Sequence, residues 1–529
     1  LRNHILWGGL SLSAAAVLVV VVWRLEALLW LGVPLVALVL LGIYDLFQHK
    51  HTLLRNFPVA GHLRWLFEKI RPEIRQYFVE SDLSGRPVNR RDRSLIYARA
   101  KQQLDTQPFG TESDVRRVGY EWANHALNPT HSELDAVSAR VRVGPECKQP
   151  YEASILNISA MSFGALSSRA VLALNHGARK GGFAHNTGEG GISKYHLEPG
   201  GDLIWQLGTG YFGCRTRDGQ FDRRQFQDKV AHPAVKLVEL KLSQGAKPGH
   251  GGVLPACKNS REIAGMRGVE PHQTVISPPN HSAFSGNGGL LEFIEKLRET
   301  SDGKPVGIKL CVGKDKELRA LVATMAREKM YPDFVTVDGA EGGTGAAPVE
   351  HSNSIGTPLL EGLSLLDNLL RGYGLRERIR VIASGRIFTA FDLIRVMGLG
   401  ADLVNSARGM MFALGCIQAL ECNKNTCPTG VTTNNPRLVR GLVVKDKAER
   451  VYQYHRDTVN TACELLGTLG YKRFEQLKRE DFQRRISATK VATLEDIYPT
   501  VEAGAYLKED FELGARAPLS SDGLPTRGC

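Results

Sequence analysis

The chain has 529 residues, 55 of them glycine, and its 67 lysines and arginines outnumber 55 aspartates and glutamates to give a formal charge of +12 and a pI of about 9.2. Such a balance would suit a nucleic-acid binder, but no recognised nucleic-acid motif accompanies it, and basic residues gather just behind an apolar N-terminus. Nine cysteines, three of them within a dozen residues, do not make the even pairing of a secreted disulfide framework; they point to a reducing compartment and a cysteine-held cofactor.

Residues 5–23 carry no charge, Arg24 and Glu26 interrupt, and 27–44 is again free of charge. Each run is long enough to cross a hydrocarbon core of about 30 Å. Trp7, Trp23, Trp30 and Tyr44 stand where interfacial aromatics are common, and His49, Lys50, His51, Arg55 and Arg64 follow. The positive-inside bias then places everything after residue 50 in the cytoplasm. Residues 1–50 therefore read as a two-helix transmembrane hairpin anchoring the chain in the inner (cytoplasmic) membrane. A cleaved signal peptide would leave the second run unexplained. Residues 51–150 read as a mainly helical, polar connecting region. In it Leu63, Trp65, Leu66, Ile70 and Ile74 recur at near-helical spacing. That stripe either lies on a membrane or, more simply, packs on the catalytic domain.

From about 151 to 440 short apolar runs alternate with helical periods. The runs are 155–160, 183–187, 234–242, 274–278, 305–312, 334–339, 380–385 and 401–406, and stretches such as LLEFIEKLRET and AFDLIRVMGLG lie between them. Eight buried-strand candidates alternating with helices predict an α/β fold, a (β/α)8 TIM barrel rather than an open sheet. No GxGxxG follows a strand, so a dinucleotide-binding module has no support. Residues 441–510 read as a helical extension and 511–529 as a mobile tail.

In such a barrel ligands bind at the C-terminal strand ends, and the loops after strands 7 and 8 commonly hold a phosphate. Here they contain Ser384, Gly385 and Arg386, then Ser406, Ala407 and Arg408. Small residues let backbone N–H groups reach phosphate oxygens, and the arginines add charge. FMN or a sugar phosphate would fit this spacing. Next along the chain, Cys416, Cys422 and Cys427 form C-x5-C-x4-C followed by Pro428. A structural zinc site wants four ligands, and no fourth lies near; three thiolates on a short loop suit an iron–sulfur cluster lacking one iron.

The stretches ISAMSFGALS (158–167), HNTGEGG (185–191), QGAKPGHGG (244–252), VISPPNH (275–281), TVDGAEGGTGAAP (336–348) and the cysteine run occur in one order that resembles the FMN-binding synthase domain of glutamate synthase. The resemblance implies FMN, a [3Fe–4S] cluster on Cys416, Cys422 and Cys427, and reductive amination of 2-oxoglutarate through 2-iminoglutarate. It implies FMN contacts at Ala160, Met161, Ser162 and Asn186, in the loop of Gly342 and Gly343, and at Ser384, Gly385, Arg386, Ala407 and Arg408. Lys309 matches a flavin-facing basic position. Glu189, Gln244, Lys247 and Arg267 fall where the family binds its keto acid. Lys247 and Arg267 would pair its carboxylates, and Glu189 would manage protons or merely brace its glycine-rich loop. His250, His281 and His351 read as hydrogen-bonded structural histidines.

The chain departs from the family pattern KPGEGGQLP at His250 and Val253, where an acid and an amide are usual, which bears on the substrate. It shows no glutaminase, β-helical or NAD(P)-binding segment. The resemblance therefore implies ammonia taken free or from a partner, and electrons from a separate protein or membrane carrier. A membrane dehydrogenase running the reverse reaction toward a quinone, and a non-catalytic membrane module, are the competing readings. Homo-oligomerisation is left open.

Overall fold

A computed structural model describes residues 2–23 and 26–507, with the side chains of residues 2–6 and 20–31 left outside that description. The junction at Arg24 and the expected tail at 511–529 therefore lie outside the described residues.

Runs of β-branched and aromatic residues, buried on both faces, become parallel strands. Eight such strands form a closed barrel. They are β1 (Leu156–Ile158), β2 (His185–Asn186), β3 (Leu203–Leu207), β4 (Val235–Lys241), β5 (Val306–Leu310), β6 (Phe334–Asp338), β7 (Arg380–Ser384) and β8 (Leu403–Ser406). Neighbours in sequence pair in parallel, β8 returns to β1, and Val306 of β5 lies opposite Val238 of β4. The expected helices appear between strands, among them Gly286–Thr300, Asp315–Glu328 and Ala390–Gly398.

Seven of the eight expected strands line the barrel. The run at 274–278 does not: Val275–Ile276 pairs antiparallel with Val253–Leu254 in an excursion after β4. The missing strand is β3, LIWQL, whose Gln206 breaks the apolar pattern because it points into a polar interior instead of oil. The reading of 51–150 as mainly helical also fails beyond Lys101, after which the described residues to 150 contain no helix. Glu121–Ala123 instead joins a three-stranded antiparallel sheet with Phe482–Arg485 and Val491–Thr493. Arg140–Val143 pairs with Tyr151–Ser154. Val143, Tyr151 and Ala153 of that hairpin pack with Ala184, Ile204, Leu237, Phe334, Ile382 and Leu403. Phe334 and Leu403 open their strands and Ala184 directly precedes β2, so the hairpin stoppers the N-terminal end of the barrel and leaves the opposite end for chemistry. The 25-residue helix Val444–Thr468 follows the barrel as expected, succeeded by short 3₁₀ turns and the strands just named.

The chain divides into two compact units, Leu1–Arg90 and Arg91–Cys529. The first contains two 22-residue helices, Arg2–Trp23 and Glu26–Phe47. Among the described residues no helix is long and apolar enough to cross a membrane. The described side chains cover only 7–19 and 32–47 of the two. The helix His62–Ile74 buries none of its residues.

Candidate active site

Inside the barrel a single carboxylate organises the polar groups. Glu239 of β4 is fully buried. Its Oε1 accepts from Asn186 Nδ2 and Gln206 Nε2, each at 2.7 Å, and its Oε2 from Thr336 Oγ1 at 2.7 Å. Asn186, expected to face FMN, thus braces the next loop: its Oδ1 also accepts the Gly188 N–H at 3.0 Å. Lys309, next to last in β5, holds its Nζ 3.3 Å from Asp338 Oδ2. Burial works against its charge, but Asp338 and Glu239 outweigh that and raise its pKa, so it is a permanent cation at the strand ends.

At the mouth, the loop after β2 brings Glu189 back over β4. Its Oε1 accepts from Lys241 Nζ at 2.8 Å, and Lys241 also donates to Gln244 Oε1 at 3.1 Å. A side chain at Gly208 or Gly252 would overlap the Glu189 carboxylate, so glycine at both positions makes the slot it occupies. Burial alone would raise the Glu189 carboxyl, but the Lys241 ammonium, with Lys247 and Arg267, holds it below the ordinary carboxylate range. Arg267 is buried; its Nη2 donates to Phe163 O at 3.2 Å and Ser162 Oγ at 3.4 Å, while its Nε finds no partner among the described residues. Burial brings its pKa down to about 10, still charged at neutral pH. Lys247 Nζ donates to Ala346 O at 3.0 Å and Gln244 Nε2 to Gly343 O at 3.1 Å, tying the loop after β4 to the loop after β6. Burial, then repulsion from Lys241, bring Lys247 down to about 8. The expected substrate residues are therefore brought together, with cations in excess.

Across the mouth, Ala160–Ser162 follows β1, with Met161 N donating to Asn186 O at 3.5 Å. Ser384 Oγ sits 3.3 Å from Ser159 Oγ, and Arg386 after Gly385 adopts a positive φ of 41°. Arg408 follows Ala407 after β8 and donates through Nη2 to Glu341 O at 2.5 Å. Burial and then repulsion from Arg386 lower Arg408 to about 10, as at a site shaped for an anion. A cavity of about 650 Å³ opens beside Gly385 and Arg386, walled by Ala340, Glu341 and Phe388. Gly343 admits Arg408: a Cβ there would come within 3.0 Å of its side chain. The expected cofactor residues therefore ring one end of the barrel, where buried Lys309 and half-buried Arg386 and Arg408 supply cations that fit a phosphate and an electron-rich ring.

The family described as the conserved region in glutamate synthase matches residues 115–472, well over half of the chain. The chain belongs to the glutamate synthase family. It is 38% identical over 464 residues to the glutamate synthase large subunit-like protein YerD of Bacillus subtilis, covering 80% of this chain and 88% of that one. It is 31% identical over 389 residues to an archaeal-type glutamate synthase [NADPH] of Thermotoga maritima, covering 73% and 72%. With the glutamate synthase [NADPH] large chain of B. subtilis it shares 31% identity over 328 residues, 60% of this chain and 20% of that one. Among solved structures, a mandelate oxidase aligns at a TM-score of 0.39 and 15% identity, over 74% of this chain and 91% of that one.

The cysteine run of this glutamate synthase relative lies on a loop held from several sides. Gln418 N donates to Cys416 Sγ at 3.4 Å, but burial outweighs that contact and pushes the Cys416 thiol up to about 12; Cys427 Sγ lies 3.4 Å from Thr429 Oγ1. Burial would raise the Cys427 thiol, yet the hydroxyls of Thr429 and Thr432 bring it below its ordinary value. Tyr97 donates to Cys416 O at 2.5 Å. Buried Lys258 donates to Ala165 O at 2.7 Å, Thr432 O at 2.9 Å and Cys422 O at 3.1 Å. The donor set suits an iron–sulfur cluster, but the thiols are not drawn into one ligand shell: among the described residues no three His, Cys, Asp or Glu side chains converge as around a metal ion.

Sequence reading missed Lys241, Glu239, Gln206, Thr336 and Lys258. Two of them had a signal: charged residues at 239 and 241 in the otherwise apolar run 234–242 demand partners once that run is buried. His281 is structural as expected, its ring nitrogens lying 2.9 Å from the Tyr211 hydroxyl and 2.8 Å from Lys241 O. His250 contacts His351 edge-on, with ring centres 5.3 Å apart.

Proposed function

We propose that the protein is an FMN-dependent oxidoreductase of glutamate synthase type that reductively aminates 2-oxoglutarate, through 2-iminoglutarate, to glutamate. The observation that carries this reading is the cation excess at the mouth, where Lys247 and the buried Arg267, whose Nε has no partner among the described residues, face the Glu189–Lys241 pair. A dicarboxylate answers that excess. Lys247 and Arg267 would hold its two carboxylates, the guanidinium as a planar fork and the ammonium as a point charge. Glu189, held below the ordinary carboxylate range, rests ionised and can take up a proton, and Lys241 Nζ donates a hydrogen bond to it at 2.8 Å. When bound, FMN supplies the hydride chemistry, with Lys309 and Arg386 and Arg408 holding its ring and phosphate ends. Cys416, Cys422 and Cys427 would hold a [3Fe–4S] cluster, which supplies single-electron chemistry. A separate electron-transfer protein or membrane carrier completes the set of partners.

The deciding experiment is anaerobic. The full chain is purified in detergent, reduced, and followed by flavin and cluster absorbance while 2-oxoglutarate and ammonia are added. Rapid flavin reoxidation with glutamate appearing supports the reading; a flavin that stays reduced overturns it and directs attention to His250 and Val253.

We also propose that the hairpin of the first unit anchors the chain in the cytoplasmic membrane with the barrel in the cytoplasm. Its support is the pair of charge-free runs and the exposure of Trp7, Leu12, Leu18, Val33, Leu40 and Tyr44, an apolar surface of the kind that marks an interaction site. Resistance to alkaline carbonate extraction tests it.

A further inference from the structure

We infer that one face of the helix His62–Ile74 and the turn that follows it, Arg75–Val79, docks on an anionic lipid surface. Leu63, Leu66, Phe67, Ile70, Ile74 and Phe78 stand at i, i+3, i+4, i+7, i+11 and i+15, which places them on one side of a helix. None is buried: Phe67 is 58% and Phe78 85% exposed. A stripe of six large apolar side chains left in water is the kind of surface that finds a partner.

The geometry says which way the stripe looks. Asp45, near the end of the helix Glu26–Phe47, is fully buried, and its carboxylate accepts the Val59 N–H at 2.9 Å and lies 3.0 Å from His62 Nε2. That pins the first residue of the amphipathic helix to the last turns of the apolar hairpin. Trp65, on the opposite side from the stripe, meets His51 edge-on at 5.6 Å. The unit's own packing therefore uses the back of the helix and leaves the stripe outward.

The chemistry at its border selects lipid. Arg64, Arg71 and Arg75, at i, i+7 and i+11, form a row one residue round from the stripe. Between residues 50 and 80 six lysines and arginines face three glutamates. Long cationic side chains beside an apolar stripe reach the headgroups while the stripe enters the acyl boundary, and anionic headgroups strengthen the contact. The inference extends the anchor proposed above to the segment that follows it.

The test uses the full chain in phosphatidylcholine vesicles with and without phosphatidylglycerol, carrying a photoreactive benzoylphenylalanine in place of Phe78 or, on the polar face, of Gln76. The expected result is lipid adducts several-fold more abundant from position 78 than from 76, increased by phosphatidylglycerol and reduced by Arg64→Gln, Arg71→Gln and Arg75→Gln together. Adducts from position 78 to protein alone, whether to the same chain or a second copy, overturn the inference. Alkaline carbonate extraction of the same vesicles reports the hairpin separately. A chain that resists extraction while position 78 labels only protein keeps its anchor and loses this interface; a chain that is extracted yet labels lipid keeps the interface without the anchor.

Discussion

The barrel interior and the barrel mouth are built from the same residue types and solve opposite problems. Around Glu239 three donors meet the two oxygens of one carboxylate, with Lys309 nearby, and the charge is settled within the protein. Around Glu189 one carboxylate faces Lys241, Lys247 and Arg267, and a guanidinium nitrogen has no partner among the described residues. The Glu239 carboxylate is complete as folded. The mouth becomes complete only when an anion enters, which is how a binding site differs electrostatically from a core that happens to be polar.

Four measurements would break or sharpen that contrast. Glu239→Leu strands two amide donors, a hydroxyl and part of the compensation for Lys309, and should cost about 3–5 kcal/mol of stability in urea unfolding. A smaller loss would mean water already serves the interior. Arg267→Leu should leave stability nearly intact while weakening 2-oxoglutarate binding by roughly 2–4 kcal/mol, read from equilibrium titration. Unchanged affinity would show that the mouth is not the substrate site. Thr336→Val removes one hydrogen bond to a buried carboxylate with little change of shape and should cost about 1.5 kcal/mol in the same unfolding experiment.

The fourth follows from Lys247, brought down to about 8. Its ammonium is the form that binds a carboxylate, so keto-acid affinity should fall as pH rises through about 8. Stability should move the other way. The unfolded lysine, near its ordinary value of about 10.4, holds a proton that the folded one has released, so the chain gains stability from about pH 8 to about pH 10. Lys247→Met should flatten both trends; a pH profile of binding that survives it would assign the titration elsewhere.

The barrel was legible because its strands are apolar and its turns glycine-rich, and the ring of cofactor positions followed once strand ends were known. β3 escaped because Gln206 serves the interior network, and a polar residue inside a strand looks like an interruption when the partner 33 residues away is not in view. Lys241 escaped for a related reason: its role depends on Glu189 arriving from another strand through a slot that Gly208 and Gly252 open. The helix Arg90–Lys101 lies in the stretch whose sequence reads as mainly helical, but that Tyr97 grips the carbonyl of Cys416, 319 positions on, is not legible in spacing. The unexpected strand at Glu121–Ala123 shows the same limit, since its partner follows the whole barrel.

That last pairing sets an order of events during synthesis. Glu121–Ala123 leaves the ribosome long before Phe482–Arg485, the strand that completes it, and Glu121 waits for Arg484 to reach its Oε1 at 2.7 Å. Until then an unpaired edge precedes every strand of the barrel, open to the wrong neighbour. The sheet can close only after the chain between its strands has been made, so it acts as a seal set last. A nascent chain stalled before residue 482 should be the species that chaperones hold and that aggregates when they do not.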